Sequence, residues 1–211
     1  MAGRAARTNS TLETILDAAE DILKRRGSEG LSVRAVAQKV GISVGNLQYH
    51  LPTRAKLLDA VISRRGDEFR TEILAELEGI VDPRRRFERL LDCWLSAQFR
   101  PDQVLFWHLW AMSAHDPDAR RTMEGVYSEM TDFVTGLLRE IDPDLTRLRA
   151  KRRAALIVSM VEGSGLFVGY GRRPSRDLVA LQVEVKNTAM EIAGCCENES
   201  ASSKSRRKVA K

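Results

Sequence analysis

Residues 31–58, LSVRAVAQKVGISVGNLQYHLPTRAKLL, are the stretch whose reading decides the fold. Ser32 stands where an N-cap belongs, ahead of a run that puts Val33, Val36, Ala37 and Val40 on one face at helical spacing. Gly41 follows, the residue type best able to take the left-handed backbone that closes a helix. Ser43 caps a second short helix, and Pro52 stops it after Leu51, since proline has no N–H to donate. Thr53 then caps a third helix that opens Arg54, Ala55, Lys56, Leu57. Two short helices joined by a few residues around a glycine form the helix-turn-helix pattern, whose second helix lies in a DNA major groove.

Upstream, Ile15, Ala18, Ala19, Ile22 and Leu23 recur at i, i+3, i+4, i+7 and i+8, which predicts a helix starting near Ser10 or Thr11. It closes on Lys24, Arg25 and Arg26, cations suited to the negative end of the helix dipole, followed by Gly27. Residues 1–10 read as a flexible arm carrying Arg4 and Arg7, and residues 11–56 as a three-helix head.

Downstream, the Thr53 helix carries Leu57, Leu58, Val61, Ile62, Phe69, Ile73, Leu74 and Leu77 to about Glu78, with a bend expected at Gly66. Its ~26 residues would span ~39 Å, long enough to leave the head and enter a second domain. Asp82-Pro83, Pro101-Asp102 and Asp116-Pro117 each open a further helix, a carboxylate beside a proline being suited to a helix N-terminus. After Asp142-Pro143-Asp144 comes a helix from about Leu145 to Gly169 that is apolar nearly all round in its second half, with Gly163, Gly165 and Gly169 permitting close approach of another backbone. Ser175 is expected to cap the last helix, striped by Leu178, Leu181, Val185, Ala189 and Ile192. The fold class is therefore all-α: a three-helix head followed by a helical bundle over residues 57–194, about nine helices in total. Two adjacent apolar helices at 145–193 suit a four-helix interface between two copies, or simply closure of a monomer core. Residues 195–211 are polar and basic and read as a disordered tail.

The net charge is +5, and it is unevenly spread: +4 over residues 1–56, −2 over 57–196 and +3 over 197–211. A basic head on a near-neutral body suits a nucleic-acid partner. Only three cysteines occur, Cys93 alone and Cys195 next to Cys196, which excludes a disulfide framework and suits a reducing compartment. No apolar run approaches the ~20 residues of a membrane span, and no apolar segment follows the basic N-terminus as a secretory signal requires. A cytoplasmic protein is expected.

Residues 30–58 resemble the TetR family of bacterial transcriptional repressors. The matching positions are Gly30-Leu31-Ser32, Arg34, Ala37, Gly41-Ile42-Ser43, Gly45, Leu47, Tyr49-His50-Leu51-Pro52, Arg54 and Leu57-Leu58, with Ile15 to Gly27 fitting the family's first helix. The likeness is strong over about residues 11–60; beyond that, only length and helical pattern agree. One departure is Gln48, which stands where the family often has tyrosine. The phosphate-contacting tyrosine role then falls either to Tyr49 or in part to Gln48. Trp107, Trp110, His115-Asp116-Pro117 and Val161-Glu162-Gly163 are similar to the choline-responsive BetI type of the family, a likeness of architecture that says nothing about the ligand.

On the second helix of the motif, Gln48 is suited to bidentate reading of an adenine, Asn46 is the other amide, and Val44 suits a thymine methyl. Tyr49 and His50 are placed for phosphates or groove walls, though His50 serves equally well as packing against the long helix. Ser32, Arg34, Thr53 and Arg54, at two helix N-termini, are expected at the DNA backbone. In the body, Trp94, Phe106, Trp107, Trp110, Tyr127, Glu162 and Phe167 form a candidate effector pocket. Aromatics at helical spacing are usually core, but Glu162 is a carboxylate in an apolar helix: it reads as a solvated edge or a partner for an arginine, or, beside aromatic faces, as a place for a cation. His108 and His115 lie seven residues apart, not a metal-ligand spacing, and no cofactor motif is present, so neither metal nor cofactor is expected.

The function these features imply is a homodimeric regulator, a repressor by family resemblance, on a palindromic operator and released by a small molecule bound in the C-terminal domain through a shift of the long helix. Two alternatives differ in class. One is an enzyme tethered to DNA with Glu162 and His108 or His115 as an acid–base pair, which lacks any nucleophile or metal motif. The other is an effector-free DNA-binding scaffold with a filled body.

Overall fold

A computed structural model of the chain describes residues 2–168 and 176–195. Among the described residues all regular elements are helical: α1 (Ala2–Gly30), α2 (Val33–Val40), α3 (Val44–His50), α4 (Arg54–Leu77), α5 (Pro83–Ala97), α6 (Val104–Ser113), α7 (Pro117–Ile141), α8 (Arg147–Val168) and α9 (Leu181–Ala193), with 3-10 turns at Pro101–Gln103 and Arg176–Leu178. The chain divides into two compact units, Met1–Ala75 with Phe99–Glu129, and Glu76–Gln98 with Met130–Lys211.

The first unit holds the motif, and its caps are those the sequence predicts. The Ser32 hydroxyl accepts from Ala35 N–H at 3.1 Å and the Ser43 hydroxyl from Asn46 N–H at 3.1 Å. Thr53 does the same for Lys56 N–H at 3.1 Å. Each such cap satisfies an otherwise orphaned donor and contributes about 1 kcal/mol. Gly41 closes α2 at φ 76°, ψ 27°, its N–H reaching the carbonyls of Ala37 and Gln38. Helices of eight and seven residues do not persist alone. What holds them is a core in which Val36 and Ala37 of α2 and Leu47 of α3 meet Ile15, Ala19 and Leu23 of α1, Leu57, Leu58, Val61 and Ile62 of α4, and Leu105 and Leu109 of α6.

The participation of α6 is what the sequence does not announce. A boundary after residue 56 separates the head from everything downstream, whereas the compact unit takes in α4 as far as Ala75 and all of α6. Nor does α1 start at Ser10 or Thr11: its backbone is helical from Ala2, across the segment that reads as a flexible arm in sequence. It breaks at Gly27, where φ is 65° and ψ −168°, and this elbow turns the chain toward α2. Helix α4 runs from Arg54 to Leu77 as one helix, passing through Gly66 where the sequence suggests a bend.

In the second unit, Asp82 caps α5 by accepting from Arg84 N–H at 3.0 Å, with Pro83 in the first turn. Helix α5 buries Phe87, Leu90, Leu91, Trp94 and Leu95, and α9 packs against both α5 and α8. Helix α8 buries Ala150, Ala154, Ile157, Val158, Val161 and Val168. Its opposite side keeps Leu148, Leu156, Leu166 and Phe167 exposed. At Gly165 it is a side chain rather than another backbone that comes close: a Cβ there would lie 2.5 Å from the Gln98 Oε1. Gly163 has open space within the chain, and Gly169 lies outside the described residues. The final helix opens at Leu181 after a 3-10 turn, with no side-chain cap at Ala180; Ser175, the expected cap, lies outside the described residues, as do residues 196–211 of the tail.

Candidate nucleic-acid interface

Helix α3 is positioned by one side chain and two caps. Leu47 is fully buried, Ser43 fixes the first turn, and Leu51 N–H closes the last turn onto the Leu47 carbonyl at 2.8 Å. With Leu47 pointing in, helical periodicity turns Val44, Gly45, Asn46, Gln48 and Tyr49 outward, and all five are exposed. Tyr49 is 79% exposed, a large aromatic surface that the described residues leave mostly uncovered. Its ring meets His50 edge to face at 5.3 Å and 83°, and His50 is half-buried. The ring contact of His50 is thus with its own helix, at Tyr49, and not the packing against the long helix that the sequence offers as one alternative.

Beside α3, Ser32 and Arg34 at the start of α2 and Thr53 at the start of α4 are exposed. Ser32 and Thr53 each spend one hydroxyl lone pair on their own caps, which leaves the O–H free to donate to a phosphate. Lys39 is engaged differently. It pairs with Asp21 of α1, whose other oxygen accepts from Arg25 at 2.6 Å. The hydrogen bonds from Lys39 and then Arg25 hold the Asp21 carboxyl below the ordinary carboxylate range. That pair fixes α2 on α1.

Arg54 sits where the sequence leads one to expect a backbone phosphate contact, and the structure occupies most of its donors internally. Its Nε donates to the Leu31 carbonyl at 3.0 Å and its Nη2 to the Ser28 carbonyl at 2.9 Å. Nη2 also lies 3.7 Å from the Met112 sulfur, and Nη1 is 3.6 Å from the Asp116 carboxylate. Nothing in a linear reading signals these partners, the nearest of them 23 residues away and Met112 58. Arg64 is a second contact the sequence does not reveal. It donates to Asp17 and Glu20 of α1 at 2.7 Å each and to Glu13 at 3.3 Å, tying α4 to α1. Burial works against the charge of Glu20, but hydrogen bonds from Lys24 and Arg64 outweigh it and keep its pKa below the ordinary 4.5.

The aromatic set falls into both units. In the first, Phe106 packs on the head core, Trp107 is half-buried, and Trp110 Nε1 donates to the Tyr127 hydroxyl at 2.6 Å with Trp110 46% exposed. In the second, the buried Trp94 donates its Nε1–H to Glu162 Oε1 at 2.9 Å, and Gln98 Nε2 donates to the same oxygen at 3.3 Å. Glu162 therefore meets the edge of an indole rather than its face. Phe167 is exposed on α8. His108, the proposed acid–base partner of Glu162 in the enzyme reading, lies in the first unit with its Cε1 3.2 Å from where a Cβ of Gly27 would be. Desolvation lowers its pKa from the ordinary 6.5. No described helix is long and apolar enough to cross a membrane.

A capped short helix with one buried residue and a polar outer face, set in a three-helix head, defines a helix-turn-helix DNA-binding protein. Residues 15–61 match the model of the bacterial regulatory proteins of the tetR family, and residues 83–184 match that of the C-terminal part of BetI-type transcriptional repressors. The chain belongs to the TetR family of transcriptional regulators, and its N-terminal part is that family's helix-turn-helix DNA-binding domain. An uncharacterized HTH-type transcriptional regulator of Mycobacterium tuberculosis is 23% identical over 176 residues, covering 83% of this chain and 85% of its own. The class D tetracycline repressor of Escherichia coli is 41% identical over 49 residues, 23% of this chain and 22% of that one. Among solved structures, a transcriptional regulator from Saccharomonospora viridis in complex with choline superposes with a TM-score of 0.68 at 21% identity, over 87% of this chain and 96% of that one; at that identity the likeness is one of fold.

Proposed function

We propose that the chain is a repressor that binds a palindromic operator as a homodimer and is released by a small molecule bound in its C-terminal domain. The observation that carries the DNA reading is the outer face of α3, where Val44, Asn46, Gln48 and Tyr49 are exposed together around the single buried Leu47. Gln48 and Asn46 read base edges, Val44 meets a thymine methyl, and Tyr49 braced by His50 meets a phosphate; Ser32, Arg34 and Thr53 flank them at the backbone. In the dimer the two α3 helices enter successive major grooves about 34–36 Å apart. Such a protein acts where the chromosome is, in the cytoplasm.

The exposed side of α8 supports the homodimer. Leu148, Arg152, Ala155, Leu156, Ser159, Gly163, Leu166 and Phe167 share one helical face, large apolar groups flanking small ones that permit close helix approach. On α9 the expected stripe is only half-buried at Leu181, Val185 and Ile192 within one chain. For the effector, Glu162, held by the Trp94 indole N–H, is the carboxylate of the C-terminal unit to which an organic cation is drawn, and the relative from Saccharomonospora viridis was solved with choline.

The test is operator binding. DNA selected from a random pool by the full chain is expected to be palindromic, and Gln48→Ala is expected to lose about 1–3 kcal/mol of discrimination at the base it reads. Selection without symmetry, or unchanged base preference in Gln48→Ala, overturns the assignment. Adding choline to the complex tests the cation reading by release.

A further inference from the structure

Arg54 is the first residue of α4, one position after the Thr53 cap and four after the end of the recognition helix. From there its guanidinium reaches in two directions. On one side are the Ser28 and Leu31 carbonyls, which belong to the elbow between α1 and α2, itself closed by Leu31 N–H on Ser28 O at 3.2 Å. On the other are Met112 at the end of α6 and Asp116 at the start of α7. That corner is built stiffly. The Met112 carbonyl accepts from both His115 and Asp116 N–H at 3.0 and 2.9 Å, and Arg120 Nε donates to the Ser113 carbonyl at 3.1 Å. Asp116 uses Oδ1 to cap α7, accepting from Asp118 and Ala119 N–H at 2.9 and 3.2 Å, which leaves Oδ2 facing Arg54.

The same elbow meets the same helix a second time. The imidazole of His108, one turn before Met112 on α6, stands 3.2 Å from the Cβ position of Gly27, the residue whose positive φ makes the elbow. The α6–α7 corner thus touches the head elbow by packing at His108 and by a charged fork at Arg54. A guanidinium suits that place because its planar donors serve two carbonyls and a carboxylate at once, which a lysine ammonium on a flexible stem does not.

We propose that Arg54 is a positioning residue rather than a phosphate contact: it fixes the pose of the recognition helix on the α6–α7 corner and thereby sets the half-site spacing the dimer accepts. The inference rests on the homodimeric operator reading above. The two heads of such a dimer are joined only through the rest of each chain, so slack between elbow and corner becomes slack in the distance between heads.

The experiment uses the full chain and the operator selected by the wild type, with variants of that operator in which the half-sites are moved apart or together by one and two base pairs. Binding of wild type, Arg54→Ala, Arg54→Lys and Asp116→Asn is measured over a range of salt concentrations. The wild type is expected to prefer one spacing at least tenfold. Arg54→Ala and Arg54→Lys are both expected to flatten that preference to within about threefold while keeping the wild-type salt slope. A phosphate-binding role gives the opposite pattern: the spacing preference is kept, Arg54→Lys restores affinity, and the slope of log K on log salt falls by about 0.9 for each phosphate that Arg54→Ala leaves unneutralised. Asp116→Asn retains the cap and loses the charge, so it covers the case of an unfolded Arg54→Ala; a full wild-type spacing preference in Asp116→Asn overturns the proposal. Failure of the wild type to bind any palindrome is a separate result, which removes the operator reading itself.

Discussion

Helix α3 buries one of its seven residues and turns its polar groups outward, while the 22-residue α8 buries eight and still leaves Leu148, Leu156, Leu166 and Phe167 in water. The two exposures differ in kind. Amides and a phenol on a short helix lose little by facing solvent, and fixed caps hold them in a pose useful for reading base edges. Apolar side chains on a long helix forgo about 25 cal/mol for every Å² left uncovered. The first surface needs no cover to present its groups, and the second would be stabilised by an apolar one.

Breaking the anchor of α3 is expected to have the largest effect. Leu47→Ala removes the one buried side chain and should lower unfolding stability by about 2–5 kcal/mol, read by denaturant titration. A drop below about 1 kcal/mol would mean that the caps rather than the core hold the helix. The counterpart on α8 is Leu156→Glu, which should leave the fold of each chain intact but weaken self-association at least about thirtyfold, a hot-spot effect of about 2 kcal/mol, read by sedimentation. Unchanged association would move the dimer surface elsewhere. The smallest effect is expected from the ion pairs that seat the head. Glu20 has a pKa below its ordinary 4.5, because its hydrogen bonds to Lys24 and Arg64 outweigh the cost of burying it. Its stabilising contribution is therefore complete above 4.5 and is lost as pH falls through the lower folded value. Glu20→Gln should flatten the acid limb of the stability profile and leave the neutral limb little changed in shape; an unaltered acid limb would show that Glu20 does not contribute to it.

The contrast also explains what a linear reading reveals. Caps and stops are local chemistry, so Ser32, Gly41, Ser43, Thr53, Asp82-Pro83 and Asp116-Pro117 announce their helices within a turn of the residues concerned, and the outer face of α3 follows from its spacing. Tertiary partners have no such signature. Nothing near Arg54 in sequence points to Ser28, Leu31 or Asp116, nothing near Gly27 points to His108, and the apolar stripe of α6 does not say that Leu105 and Leu109 complete the core of the head. The aromatic set is legible as a cluster in sequence, but burial and hydrogen bonding sort its members into different surroundings: Trp94 under Glu162, Trp110 beside Tyr127, Phe106 against the head core.

The single inward side chain of α3 has a consequence for how this protein changes over generations. Substitutions at Val44, Asn46, Gln48 or Tyr49 touch a surface that contributes almost nothing to folding, so under the proposed function they are judged by operator choice alone. A lineage carrying this head can wander through many recognition alphabets without first becoming unstable, provided Leu47 and the two caps stay in place. Novel target sites are then reached through neutral steps, and the scaffold that presents them stays the same.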